Sequence, residues 1–239
     1  MSDLFHEAVP DEWIDRIFAV MALCPQHTFI VVTKRSARMR EYLSPPLMRL
    51  GTTPGRIGRH LHALASASKL NDVYVWLAQD RLIAWPLPNV WALVSVEDQT
   101  TADRRIPDLL ATPAAVHGAS YEPALGPVDL GSWTWHPAAR ADNSPGLDWV
   151  IVGGESGPSA RPIHPDWARS VRDQCQAGGV AFFFKQWGEW APQRAAGIYE
   201  GRARLNYSDG TCVIRIGKRA AGRLLDGRTW DEYPEAKNG

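Results

Sequence analysis

What most constrains this chain is a repeated pattern: a short, nearly unbroken apolar run that stops abruptly in polar or charged residues and gives way to a helical stretch. Thr28–Val32 ends in Thr33, Lys34 and Arg35, and Val90–Val96 ends in Glu97 and Asp98. Ala114–Ser120 is followed by Glu122, Trp149–Val152 runs into Gly153, Gly154 and Glu155, and Val180–Phe184 ends in Lys185, Gln186 and Trp187. Runs this short are strands rather than helices. Apolar side chains at successive positions require cover on both faces, the condition of a parallel sheet built from βα units. Helices fit between them. Asp11–Leu23 sets Trp13, Ile14, Ile17, Phe18 and Met21 on one stripe, with Asp11, Glu12, Asp15 and Arg16 opposite. A second helix begins beyond Arg35 and stops at Ser44, Pro45 and Pro46, Thr100 suits the cap of a third, and Pro165 with Asp166 opens one that ends at Gly178 and Gly179.

The expected fold is therefore α/β: a partial (β/α) barrel with parallel strands over residues 1–190, carrying an insertion at about 52–85, and an irregular C-terminal basic extension over 191–239. A complete eight-unit barrel takes about 250 residues, and five strands do not fill one. From Gln193 to Arg228 eight basic residues oppose Glu200, Asp209 and Asp226, so this stretch can contact phosphates or form a solvated hairpin.

Composition narrows the function. Lys+Arg 26 balances Asp+Glu 26, so no global field marks a nucleic-acid or membrane-surface binder, and only a local patch could act as one. No apolar run approaches the roughly 20 residues of a membrane span, so a cytoplasmic protein without a membrane partner is expected. Cys24, Cys175 and Cys212 form no Cys-x-x-Cys pair, and the seven histidines contain no His-Glu-x-x-His, so no metal site is expected. The 11 tryptophans must fill core gaps, a pocket wall or an interface.

In βα folds, chemistry gathers where strands end at their carboxyl side. Lys34, Glu97, Glu122 and Lys185 stand at such ends and are the catalytic candidates. The Gly153, Gly154, Glu155, Ser156 turn and Arg161 are the cofactor-binding candidates, since a glycine turn at a strand-to-helix junction lets backbone amides face a ligand. The turn has neither the P-loop order nor Gly-x-Gly-x-x-Gly, and Ser156 lacks the Gly-x-Ser-x-Gly spacing of a hydrolase elbow.

The stretches Met1–Glu7, Phe29–Arg35, Leu87–Trp91, Val94–Glu97, Glu122–Pro127, Asp148–Ser156, Phe184–Trp190 and Gly217–Trp230 together resemble the phage-protein family named for gene products thirty-seven and sixty-eight. Members of that family resemble radical S-adenosylmethionine enzymes, whose first segment carries three closely spaced cysteines that ligate a [4Fe-4S] centre. This chain lacks that segment and looks N-terminally truncated, so the cluster is expected only in full-length relatives. By resemblance, Glu97, Glu122, Glu155, Arg161 and Lys185 hold S-adenosylmethionine or a substrate, with a nucleobase or nucleic acid as the substrate expected from the phage setting. The alternative is a cluster-free accessory protein whose tryptophans and basic tail contact a protein or nucleic acid. A sheet short of strands also keeps an open edge next to Met1–Glu7, which invites a protein partner or self-association.

Overall fold

The computed structural model describes residues 3–44, 85–134, 145–193 and 201–235. Most of the insertion expected at about 52–85 lies outside the described residues. The elements run α1 (Asp11–Leu23), β1 (Phe29–Thr33), α2 (Ser36–Leu43), β2 (Val90–Val96), α3 (Gln99–Leu110), β3 (Val116–Tyr121), β4 (Trp149–Gly153), α4 (Pro165–Gly178), β5 (Ala181–Gln186), β6 (Trp190–Pro192), β7 (Arg204–Asn206), β8 (Cys212–Arg215) and α5 (Lys218–Ala221). The first five strands form one parallel sheet in the order β1-β2-β3-β4-β5. The α/β class follows from the near-complete burial of β2 and β3. Among the described residues no helix is long and apolar enough to cross a membrane.

The chain divides into two compact units, Met1–Val94 with Asp108–His117 and Glu235–Gly239, and Ser95–Pro107 with Gly118–Pro234. In the first, Ile14 and Phe18 of α1, Met39, Tyr42 and Leu43 of α2, and Val90 to Val94 of β2 are buried. The Phe18 ring lies 5.9 Å from Tyr42 and 6.1 Å from Trp85. The α1 stripe differs from its sequence pattern. Asp15 is buried and accepts a hydrogen bond from the Tyr42 hydroxyl, whereas Trp13, Ile17 and Val20 are exposed. Helix periodicity reports which residues share a face, but not which face finds a neighbour.

The segment before α1 folds onto the carboxyl end of β1. The Asp3 carboxylate accepts from the Thr33 hydroxyl at 2.6 Å, the Lys34 amide at 2.9 Å and the Phe5 amide at 3.0 Å. Burial alone would raise the Asp3 pKa, but these hydrogen bonds and the Arg35 guanidinium outweigh it and hold it below the ordinary carboxylate value.

In the second unit β3, β4 and β5 pair in parallel, and α4 packs on β4 and β5. Helix α3 begins at Gln99 and is capped by Asp98 instead of Thr100: the Thr101 amide donates to Asp98 Oδ1 at 2.8 Å, and the Thr101 hydroxyl accepts from the amides of Glu97 and Asp98. The short aspartate side chain reaches the third amide of the new helix, which a residue already inside the first turn cannot do. Helix α4 starts at Pro165 as expected, with His164 as its cap.

Beyond Trp190 the stretch expected to be irregular forms a small antiparallel sheet, β6-β8-β7, whose β7–β8 turn holds Asp209 and Gly210. The chain then returns along β5. The Phe184 amide donates to the Trp230 carbonyl at 3.0 Å, the Glu232 amide to the Phe182 carbonyl at 3.2 Å, and the Trp149 indole to the Glu232 carbonyl at 3.0 Å. The outer edge of β5 is thereby covered by a late segment of sequence.

Candidate functional site

Within the second unit, backbone hydrogen bonds stitch the strand ends into one rim. The Leu125 amide donates to the Glu97 carbonyl at 2.8 Å, the Ala124 amide to the Gly153 carbonyl at 3.1 Å, and the Gly154 amide to the Gln186 carbonyl at 2.9 Å. The first two come from the loop opened by the cis Glu122–Pro123 peptide, which carries the chain from β3 past the ends of β2 and β4.

Four of the expected strand-end residues meet along this rim in two ion pairs. Lys185 Nζ lies 3.1 Å from Glu122 Oε1, and the Ser120 hydroxyl donates to Glu122 Oε2 at 3.2 Å. The Glu122 carboxylate sits where a Gly153 side chain would begin, so Gly153 makes room for it over the backbone of β4. The carboxylate is largely buried and the ammonium half exposed, so one partner is fixed and the other can swing. In the turn after β4, Glu155 accepts from Arg161 in a fork, Nε to Oε2 at 2.8 Å and a terminal nitrogen to Oε1 at 2.9 Å, and the Arg161 amide adds a third bond at 2.8 Å. Hydrogen bonding from Arg161 holds the Glu155 carboxyl below the usual range. The same contacts raise Arg161, with a further contribution from the charge of Glu97.

Glu97 is buried at the end of β2, with Oε2 2.8 Å from the Arg105 guanidinium, which also reaches the Ser95 carbonyl at 2.6 Å. Ser156 accepts from the Gln186 side-chain amide at 3.1 Å. Gly154 is required by close approach, since a Cβ there would stand 2.6 Å from the Trp187 carbonyl carbon. Lys34 belongs to the first unit, where its amide binds Asp3. Sequence reasoning placed Gln186 with Lys185 at the end of its strand without giving it a role, and passed over Ser120 and Arg105. Ser120 and Gln186 neighbour expected residues, whereas Arg105 sits eight positions beyond Glu97 on a helix, a spacing without a motif.

The cysteines do not suit an iron–sulfur cluster. Cys175 is fully buried on α4, and burial pushes its thiol far up, which opposes the thiolate a cluster needs. Among the described residues the three thiols form no convergent ligand set.

His164, Asp166 and Asp209 bring possible ligand atoms within 4.8 Å of one another. Hydrogen bonding decides against a metal there. His164 Nδ1 accepts from the Asp166 amide at 3.1 Å, so the neutral ring carries its proton on Nε2, 3.1 Å from Asp209 Oδ2. A metal on Nε2 would move that proton to Nδ1, where it would face another N–H donor, the reverse of the outer hydrogen bond that metal-bound histidines make. The ring is a helix cap packed on Tyr207 at 4.4 Å and Trp167 at 5.6 Å.

Four of the tryptophans and two of the tail arginines are engaged within the chain. Trp149, Trp187, Trp190 and Trp230 each donate an indole N–H to a main-chain carbonyl. Arg215 reaches the Gly157 and Pro158 carbonyls, and Arg223 pairs with Asp231. Residues 1–234 match the family model described as protein of unknown function (DUF5131), and the chain belongs to that family. No curated protein and no solved structure matches it.

Proposed function

We propose that this family member is a partial (β/α) barrel related to radical S-adenosylmethionine enzymes, which binds a small zwitterionic ligand at the rim of β2–β5 without holding an iron–sulfur cluster on its own thiols. The Glu122–Lys185 pair carries the reading. A half-exposed ammonium beside a sheltered carboxylate can exchange partners with an α-amino acid group: Lys185 takes the ligand carboxylate while Glu122, steadied by Ser120, takes the ligand ammonium. The amino-acid end of S-adenosylmethionine has this chemistry, and the fork of Glu155 on Arg161 lies along the same rim to meet a ribose hydroxyl or a second anionic group. In the radical enzymes that this sequence resembles, that cofactor supplies a deoxyadenosyl radical after reduction. The share of this chain is to bind, orient and exclude water. A nucleobase, free or in nucleic acid, is the substrate to be tried first, given the resemblance to phage proteins.

Calorimetric titration with S-adenosylmethionine and with methionine tests this. Saturable binding of both is expected, weakened about tenfold or more in Lys185→Ala and Glu122→Gln, as for loss of one charge-assisted bond. Absence of saturable binding, or an affinity equal to the parent's in either variant, would refute the reading. Iron assays after anaerobic reconstitution should return no stoichiometric iron.

A further inference from the structure

The sheet of the second unit is covered differently on its two faces. Val150, Val152, Phe182 and Phe184 are buried on one face, where α4 packs and its Arg172 meets the Trp230 ring beside Phe182. Residues of the other parity share the opposite face. Ser120, Ile151 and Phe183 stand side by side across β3, β4 and β5, and Ile151 and Phe183 are only half-buried. The Glu122 carboxylate lies on this same face, since it takes the Ser120 hydroxyl and fills the Cβ direction of Gly153. The Glu122–Lys185 pair therefore heads a strip with Phe183 about 7 Å further along it, the repeat of two residues in a strand.

What covers the Phe183 ring is a surface side chain. The Arg223 guanidinium lies over it, 5.2 Å from the ring centroid, and a terminal nitrogen donates to Asp231. Asp231 is the antiparallel bridge partner of Phe183 in the late segment that returns along β5, so carboxylate and ring leave the backbone on the same side. Tyr233 extends this surface, with its ring 5.6 Å from Phe183 and 5.4 Å from Trp149, and is 59% exposed. Arg223 is loosely held. Its pair with Asp231 is solvent-exposed, the kind that contributes least. Its Nε is buried without a hydrogen-bond partner among the described residues, a cost that the stack has to offset.

We infer that Arg223 holds the place of a guanine base, free or in a nucleic acid strand. The guanidinium turns a flat, delocalised face to Phe183 and an N–H to Asp231, and an occupant that replaces it must do both. Guanine carries the same group inside its ring: N1–H and the exocyclic N2–H₂ sit side by side on one edge, ready for a carboxylate. Adenine and cytosine present one amino group beside an acceptor, and uracil or thymine one N–H between two carbonyls, which the carboxylate repels. On binding, the base stacks on Phe183 and donates N1–H and N2–H to Asp231, while Arg223 swings into solvent and its Nε gains a water partner. This deepens the rim reading by naming the substrate base, yet the guanine site uses none of the charged residues of the amino-acid site.

Calorimetric titration of the full chain with guanosine and adenosine, and with thymine oligonucleotides carrying a single guanine or a single adenine, tests it. Saturable binding of guanine is expected, about tenfold tighter than of its adenine counterpart. The nucleoside pair or the strand pair that shows it identifies whether the base is taken free or in nucleic acid. Phe183→Leu should weaken this binding about tenfold through loss of the stack, and Asp231→Ala should abolish the preference for guanine. Arg223→Ala should strengthen binding severalfold because the occupant is gone, whereas an arginine that contacts the ligand would give the opposite sign. No saturable binding of either guanine probe, equal affinity for adenine, or weaker binding in Arg223→Ala would overturn the proposal. The guanine–adenine comparison uses the unaltered chain and decides the matter even if Phe183→Leu misfolds. Guanosine carries no α-amino acid group, so its binding and that of methionine stand or fall separately.

Discussion

Gly154→Ala isolates the packing that holds the rim together. Gly154 has no need of a left-handed backbone; its constraint is the Trp187 carbonyl, whose carbon lies 2.6 Å from where a Cβ would sit, with the oxygen nearer still. Ordinary carbon contacts are about 3.5–4.0 Å, so the β5 end must retreat by about 1 Å or more. That movement strains the hydrogen bond from Gly154 to the Gln186 carbonyl and the one from Glu189 to the Glu155 carbonyl. Overpacking against main chain plus about 1 kcal/mol for each weakened bond gives roughly 3–5 kcal/mol. For a chain of this size that is a fall in melting temperature of about 6–20 °C. Gly157→Ala is the control. Its φ is +105°, but a Cβ there meets nothing within 4 Å, so its cost is backbone conformation alone, about 1–3 kcal/mol. Urea denaturation of both variants measures the difference. A Gly154→Ala protein within about 1 kcal/mol of the parent, or less affected than Gly157→Ala, would mean that the strand ends are not locked together as described.

Two further outcomes follow from side-chain hydrogen bonds. His164→Ala should cost about 2 kcal/mol through loss of the α4 cap and its ring contacts, while His164→Asn, which can still cap, should recover about half in the same urea measurement. Zinc should leave the melting temperature of the parent unchanged. Lowered folded pKa values at Asp3, Asp98, Glu155, Asp209 and Asp226 stabilise the chain above the unfolded carboxylate value of about 4, and this contribution disappears as pH falls through the folded values. Melting temperature should therefore be insensitive to these groups from pH 7 to 5 and drop below about pH 4, with Asp3→Asn reducing the slope of that drop.

The strands were legible because buried parallel strands declare themselves as continuous apolar runs: Val90–Val96 and Trp149–Val152 were placed to within a residue. Pro165 and the two glycines at 178 and 179 bounded α4 for equally local reasons. The placement of Asp15 was not legible, because a carboxylate goes inside only when a distant hydroxyl, here that of Tyr42, is waiting for it. The strand-end rule gathered Glu97, Glu122, Glu155 and Lys185 at the carboxyl ends of the strands, where the structure has them, but could not pair them. Glu155 closes on Arg161 within its own turn, whereas Glu122 finds Lys185 from 63 positions away. Of the small sheet β6-β8-β7 only a hairpin was offered, without strand bounds, because strands of three or four residues, one of them wholly exposed, have no periodicity to read.

The shield on β5 has a temporal consequence. Phe182 and Phe184 take their outer hydrogen bonds from Trp230 and Glu232, which a ribosome adds only after the whole of β6, β7 and β8. During synthesis that border of the sheet stays bare while the intervening hairpin is being made, and its closure requires a long loop to form, the slowest class of contact in a folding chain. A nascent or stalled product ending short of Trp230 would thus expose phenylalanine-rich β structure, making it a natural client for chaperones at the ribosome exit.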